Sequence, residues 1–112
     1  MNIQFPLPEK VSTNKIYAGM HWAKRKKLAD LYHKSLLQFK GKKATDYPVN
    51  INYIFTFKSK PLDTTNCTFM AKLLEDGLVQ HEILIDDSPE YVSFTGIYSQ
   101  KGDKDLVEII IA

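Results

Sequence analysis

The segment from Val49 to Phe57 restricts the fold of this chain more than any other part of the sequence. Apolar side chains occupy every second position there, at Val49, Ile51, Tyr53, Phe55 and Phe57. Strict alternation puts these side chains on one face of a β-strand and the intervening, mostly polar side chains on the other. The segment therefore predicts a strand that covers an apolar core with only one of its faces.

Two other segments carry apolar residues at the three- and four-residue spacing of a helix. The first extends over about residues 21–40 and ends before Gly41, and the second extends over about residues 65–76. Gly77 follows the second segment at the position where a C-terminal cap is expected. Residues 9–20 lack either periodicity and are predicted to form a loop.

The remaining apolar segments are short and predict strands. Residues 2–5 alternate, as do residues 91–98, and residues 106–111 predict a buried strand. The segment 101–103 is predicted to form the turn of a hairpin between the last two strands. The order strand, helix, strand, helix, strands indicates an α+β fold, with a small mixed, largely antiparallel sheet and two main helices. At 112 residues, the chain is predicted to form one domain over residues 1–112.

The cysteine content and the hydropathy of the chain restrict the class of protein to which it belongs. Cys67 is the single cysteine, so an internal disulfide and a cysteine metal cluster are excluded, and a buried apolar role is predicted for it. The N-terminal residues do not have the pattern of a signal peptide, and no apolar run approaches the length of a membrane span. These features predict a cytoplasmic protein that is not associated with a membrane.

The two halves of the chain carry opposite charge. Residues 1–60 hold twelve lysines and arginines against three acidic residues, whereas residues 61–112 hold three lysines against ten acidic residues. One interpretation is that a basic surface binds a polyanion while an acidic surface binds a metal ion. The alternative is that the two halves simply attract each other in the folded protein.

The acidic half contains a group of polar residues within or beside its predicted helix and its apolar segment. Asp63 and Asn66 stand at the predicted start of the second helix, Lys72 lies within that helix, and Asp86 and Asp87 follow the apolar residues 83–85. Magnesium binds oxygen ligands, and it often uses only one or two carboxylates together with substrate phosphates. A metal-bound carboxylate pair with a nearby lysine can activate water and stabilise charge on a phosphoryl group. Each residue also has an ordinary structural interpretation, as a helix cap, an exposed helix lysine or a polar turn.

The spacing of these residues resembles the RusA family of Holliday junction resolvases. That family carries an Asp-x-Asp-Asn or Asp-x-x-Asn element before a helix, a lysine within the helix, an Asp-Ala/Gly-Leu helix end and a closing Asp-Asp. Here the corresponding residues are Asp63 to Asn66, Lys72, Asp76 to Leu78, and the pair Asp86 and Asp87. The resemblance covers residues 61–92, and this chain has a single aspartate in the first element.

The resemblance implies a set of site residues. Asp63, Lys72 and Asp87 would be catalytic, Asp63, Asp86 and Asp87 would bind Mg²⁺ (with Mn²⁺ as an alternative ion), and Asn66 would support them. Glu75 and Asp76 are instead expected to be solvated at the helix end, and Trp22 is expected to anchor the core. Phosphate contacts are expected from the basic residues of the first half, namely Lys15, Lys24, Arg25, Lys26, Lys27, Lys58 and Lys60.

The resemblance also implies a function. It predicts a magnesium-dependent endodeoxyribonuclease that resolves Holliday junctions and other branched DNA in recombination and repair, often within phage or prophage systems. Two related cuts in a four-way junction require two equivalent sites, which a homodimer provides. The alternative is a catalytically impaired nucleic-acid-binding protein of the same fold, and a third interpretation is an interaction protein that binds no nucleic acid.

Overall fold

A computed structural model describes all 112 residues as four strands packed against helices. The strands are β1 (Asn2–Pro6), β2 (Val49–Phe57), β3 (Val92–Lys101) and β4 (Leu106–Ile111). The helices are α1 (Thr13–Tyr17), α2 (Trp22–Leu36) and α3 (Thr68–Gln80), with short 3₁₀ helices at Leu37–Phe39 and Thr64–Cys67. The predicted α+β class with a small mixed sheet is therefore confirmed.

The strands form one sheet in the order β1, β4, β2, β3. β4 pairs antiparallel with β1 and with β2, whereas β2 and β3 are parallel. The predicted hairpin between β3 and β4 is wrong, because these strands lie on opposite sides of β2. Gly102 and Asp105 instead carry the chain across the end of β2: the Gly102 amide donates to the Phe57 carbonyl at 2.9 Å, and Asp105 accepts a 2.7 Å bond from the Lys58 amide.

One face of the sheet carries the core. The alternating apolar residues of β2 are all buried, as predicted, and they belong to a single cluster of 25 buried apolar residues that includes residues of all four strands and of α2 and α3. The opposite face of the sheet has no helix packed on it, and Phe94 and Tyr98 of β3 are more than half exposed there. The fold therefore has two layers, with one sheet face open.

The second helix extends past the residue that was predicted to end it. Gly77 lies inside α3 and is buried, and a Cβ atom added there would lie 2.6 Å from Cδ1 of Leu36 on α2. The glycine thus serves the close approach of two helices rather than a C-terminal cap, and α3 ends only at Gln80.

The prediction of a loop over residues 9–20 is also wrong in part, because α1 forms within it. The Ser12 side chain accepts from the Lys15 amide and caps the helix. The Thr13 hydroxyl lies 2.9 Å from the Thr68 hydroxyl and accepts a bond from the Phe69 amide, which fixes α1 to the start of α3. These bonds link residues that are more than 50 positions apart, so the local sequence pattern did not indicate them.

None of the three helices combines the length and the apolar character that crossing a membrane requires. Trp22, predicted to be a core anchor, is 67% exposed at the first position of α2.

Candidate functional site

Lys72 lies between two carboxylates on the surface of α3. Its Nζ is 3.1 Å from Oδ1 of Asp76, one helical turn later, and 3.5 Å from Oδ2 of Asp87. The hydrogen bond that Lys72 donates to Asp76 and the charges of both aspartates raise the pKa of Lys72, so the ammonium remains charged. The two ion pairs are the only ones that any lysine or arginine of the chain forms, and both are largely exposed, so they add little to stability.

The segment before Asp87 holds this carboxylate in place. Ile83 and Leu84 are buried, and the amides of both donate to the Leu78 carbonyl at 2.9 and 3.1 Å, so the chain is anchored to the end of α3. The neighbouring Asp86 has a lowered pKa because its carboxylate accepts bonds from the Asp87 amide and from Ser88. Asp86 therefore stabilises the turn, and only Asp87 of the predicted pair contacts Lys72.

Glu75 is the residue of this site that the sequence interpretation missed. Its Oε1 accepts a 3.0 Å bond from the hydroxyl of Tyr53 on β2 and a longer 3.5 Å bond from Thr95 on β3. Burial raises the pKa of Glu75, and the nearby charge of Asp87 raises it further, although the bond from Tyr53 opposes this. The sequence feature that could have identified Glu75 is its position three residues after Lys72, which places both residues on the same face of the helix.

A shallow groove separates α3 from β3 beside these residues. It has a volume of about 240 Å³. Lys72 and Glu75 lie on its helix side and Thr95 on its strand side, and the full lining is Tyr53, Thr68, Ala71, Lys72, Glu75, Thr95 and Ile97. The groove therefore presents a cation, a carboxylate and hydroxyl groups to a molecule bound in it.

Asp63 and Asn66 lie at the other end of α3. Asp63 precedes the 3₁₀ helix, where its side chain is exposed and makes no capping bond, while its carbonyl accepts a 2.8 Å bond from the Asn66 amide. Nine residues separate Asp63 from Lys72, which corresponds to roughly 13 Å along a helix axis. Neither Asp63 nor Asn66 lines the groove.

The carboxylates do not form a site that encloses a magnesium ion, but two of them match a site in which water and phosphate supply the other ligands. No three histidine, cysteine or acidic side chains are grouped closely enough to enclose a metal ion, so the predicted trio of Asp63, Asp86 and Asp87 is not assembled. Asp76 and Asp87 do approach a common point, which Nζ of Lys72 occupies. Two carboxylates are sufficient for an ion that keeps water molecules and takes its other ligands from phosphate.

The predicted phosphate-binding residues are exposed and make no ion pairs. Lys15 lies on α1, residues 24–27 lie in the first turns of α2, and Lys58 and Lys60 follow β2. Two lysines that the prediction omitted join the last pair: Lys10 donates to the Lys60 carbonyl at 2.6 Å, and Lys101 donates to the Lys58 carbonyl at 3.3 Å. We call these four residues the β2-end lysine cluster.

The Lys72 site and the β2-end lysine cluster lie beside different positions of β3. Thr95 of β3 contacts Glu75, whereas Ser99 donates to the Leu62 carbonyl beside Asp63, and Lys101 ends the strand at the β2-end lysine cluster. Lys101 lies six positions after Thr95, which corresponds to roughly 20 Å at the usual rise of a strand. An extended polyanion along β3 would therefore reach both groups.

The single cysteine takes the role predicted for it. Cys67 is fully buried, and its pKa is raised by burial, which disfavours the reactive thiolate. The site therefore depends on carboxylate, ammonium and hydroxyl groups.

No protein-family model and no curated protein sequence matches this chain.

Proposed function

We propose that this protein is a magnesium-dependent endodeoxyribonuclease of the cytoplasm that hydrolyses phosphodiester bonds in branched DNA during recombination and repair. The observation that carries the proposal is the position of Lys72, held between Asp76 and Asp87 at the edge of the groove. Two carboxylates around one ammonium group mark a place where positive charge is favoured, and a divalent cation held there would attract a phosphate. The resemblance to RusA resolvases supports the choice of substrate.

Asp76 and Asp87 would hold the metal in this proposal. A bound Mg²⁺ supplies an activated water molecule and neutralises charge on the phosphoryl oxygens. Lys72, when it turns from the carboxylates to the substrate, donates to a phosphoryl oxygen and stabilises the charge that develops there. Glu75, whose pKa is raised, is placed to take up or return a proton within the groove.

The basic residues predicted to contact phosphates would bind the DNA backbone. None of these seven residues forms an ion pair, so their charges are available to phosphates. Contacts of this kind give affinity without reading the base sequence. This agrees with a substrate that is recognised by its branched shape.

The open sheet face supports the proposed homodimer. The outward-facing residues include Phe94, Tyr98 and Ile54, and Glu108 is the only charged residue on the central strands there. An exposed apolar surface suits contact with a second copy better than contact with DNA.

A second candidate function is DNA binding without cleavage. It is favoured by the absence of a three-carboxylate group and by the distance of Asp63 from Lys72 along the helix. In that case the groove would bind a phosphate through Lys72 alone.

The deciding experiment is a cleavage assay on a synthetic four-way junction with Mg²⁺, compared with the same reaction in excess chelator. The proposed function predicts cuts at symmetric positions that require the metal and that are lost in Asp87→Asn. Glu90→Gln is the matched control, because Glu90 is exposed and follows the same turn without contacting Lys72. Junction binding with no cleavage under either Mg²⁺ or Mn²⁺ would favour the second candidate.

Sedimentation measurements test the dimer separately. A dimer that dissociates on Phe94→Lys, with the monomer still folded by circular dichroism, is expected if the open sheet face is the interface. A wild-type protein that stays monomeric at assay concentration would remove the paired-cut mechanism.

A further inference from the structure

The two most exposed aromatic side chains of the chain lie close together in sequence, at the junction of α1 and α2. Tyr17, the last residue of α1, is 83% exposed, and Trp22, the first residue of α2, is 67% exposed. Leaving two large rings exposed is unfavourable, because burial of their apolar surface would lower the free energy of the folded protein. Neither the core nor the groove site accounts for them.

The backbone of this junction is held in place rather than loose. Thr13 fixes α1 to the start of α3 through its bonds to Thr68 and Phe69. The turn between the helices uses Gly19 at a φ of +99°, a conformation that glycine adopts without strain. Little conformational freedom of the backbone would therefore be lost if a ligand bound here.

The Trp22 ring is also ordered by its neighbour. Nδ1 of His21 accepts a 3.1 Å bond from the Ala23 amide, which caps α2. The His21 and Trp22 rings then stack with their centroids 5.7 Å apart and an interplanar angle of 30°. One face of the indole is thus supported while most of its surface remains open to a ligand.

Positive charge surrounds the exposed rings. Arg25 and Lys26 follow Trp22 by three and four residues, so they lie on the same face of α2, and Lys15 is exposed on α1. None of these three cations forms an ion pair, and α2 has no acidic residue in its first turn. We call the set Lys15, Tyr17, His21, Trp22, Arg25 and Lys26 the α1–α2 corner.

We propose that the α1–α2 corner binds unpaired nucleotides of DNA, with a base stacked on Trp22 and the flanking phosphates held by the three cations. Cations alone are sufficient to bind the backbone of a duplex, whose bases are stacked on one another. Exposed aromatic rings contribute to the affinity for DNA only where a base is free to stack on them. Basic grooves that carry such rings are typical of proteins that bind single strands. The proposal rests on the proposed function only for its substrate, since the point where DNA branches can supply unpaired bases.

The single tryptophan makes the proposal directly measurable. Because Trp22 is the only tryptophan in the chain, its fluorescence reports on this position alone. Titration of the wild-type protein with a short oligothymidylate should quench the emission, because a stacked base contacts the indole. The same length of blunt duplex, at matched salt, should quench it much less even when fluorescence anisotropy shows that the duplex is bound.

A pair of variants tests the stacking energy. Trp22→Ala should weaken binding of the oligothymidylate by roughly 5- to 150-fold, the range measured for loss of one base–aromatic stack. Trp22→Phe, which keeps a ring, should recover most of the affinity. Leu37→Ala is the matched control: Leu37 is 53% exposed just after the other end of α2, and its removal should leave the affinity unchanged.

The outcomes separate this inference from the proposed function. Quenching and a Trp22→Ala defect would support the corner as a base-binding site even if no junction is ever cleaved. Metal-dependent cleavage of junctions with unquenched emission and unchanged affinity in Trp22→Ala would overturn the inference and leave the proposed function intact. Absence of any fluorescence response to either oligothymidylate or junction, with binding present by anisotropy, would also overturn it and would indicate that the exposed rings dock a protein.

Discussion

The hydroxyl of Tyr53, a buried residue of the central strand, donates a 3.0 Å hydrogen bond to Glu75, a residue of the helix that crosses above it. Glu75 also receives the longer bond from Thr95 and lies next to the Lys72 ion pairs. The sheet therefore positions Glu75 through two side-chain bonds, of which the bond from Tyr53 is the shorter, so its removal should affect both stability and activity.

Replacing the donor should destabilise the protein. Tyr53→Phe keeps the ring in the core but leaves Oε1 of Glu75 without its shorter hydrogen bond. We expect the free energy of unfolding to fall by about 0.5–1.5 kcal/mol, the usual net contribution of one hydrogen bond, because Oε1 keeps the longer bond from Thr95. Urea unfolding at neutral pH measures this, with Tyr91→Phe as the control, since the Tyr91 hydroxyl makes no such bond. Equal stability of both variants would contradict a structural role for the pair.

The raised pKa of Glu75 should make stability depend on pH. Burial raises this pKa above its usual value of 4.5, so the folded protein binds a proton there more tightly than the unfolded chain does. The stability gained from that proton is complete below pH 4.5 and is lost as the pH rises through the raised folded value. Glu75→Gln stays neutral at every pH, so its stability relative to the wild type should increase above pH 4.5. Urea unfolding at pH values on both sides of 4.5 measures the difference, and a constant difference would be inconsistent with the burial of Glu75.

Removing the central cation should reduce catalysis far more than binding. Lys72→Ala should lower the rate of junction cleavage by about 10²- to 10³-fold, because one preorganised charge donor is lost at the phosphoryl group. Single-turnover rates and junction affinity are to be measured on the same samples. Lys104→Ala removes an exposed lysine elsewhere in the acidic half and should change neither quantity. If Lys72→Ala loses affinity in proportion to rate, Lys72 is a phosphate contact only.

Two aspartate variants decide between the ligand set implied by the resemblance and the set assembled in the structure. Asp87→Asn should abolish cleavage while leaving junction binding largely intact, because Asp87 contacts Lys72. Asp63→Asn should have a similar effect only if Asp63 and Asp87 bind a common ion. Cleavage by Asp63→Asn at close to the wild-type rate, with none by Asp87→Asn, would assign the metal to the Asp76 and Asp87 pair.

The β2-end lysine cluster should contribute to the salt dependence of DNA binding. Each phosphate contact that is lost reduces the slope of log affinity against log salt by about 0.9 for duplex DNA. Replacing Lys58 and Lys60 by Gln should therefore lower the slope by up to about 1.8 and weaken binding to every sequence tested. Lys34 and Lys40, exposed on α2 and just after it, provide the control pair. An unchanged slope would show that the cluster lies outside the DNA path.

Local patterns predicted the bounds of two strands: alternation predicted Val49–Phe57, and a run of apolar residues predicted Leu106–Ile111. These patterns could not predict the partners of the strands: the four-residue connection at 102–105 fits a hairpin, but β4 instead enters the sheet on the far side of β2. Gly77 was misinterpreted for a similar reason, since its small size serves contact with Leu36 on another helix.

Only some residues of the site were singled out from the sequence. The resemblance singled out Lys72 and Asp87, and the structure places their side chains 3.5 Å apart, while their catalytic roles stay predictions. Glu75 was missed because its partner, Tyr53, lies 22 residues earlier on a strand, and a carboxylate near a helix end usually faces solvent. Trp22 was assigned to the core by residue type, whereas its position at the start of α2 leaves it exposed.

The place of β4 within the sheet also sets an order for assembly. β1 pairs only with β4, with Asn2 opposite Ile110, so this pairing closes a loop of about a hundred residues. The β2–β3 pair closes a much shorter loop, which includes α3. Because long-range pairings form late, the β2–α3–β3 unit should form first, β4 should add to its free edge, and β1 should join last. In native-state hydrogen exchange, β1 would then be the first strand to lose protection.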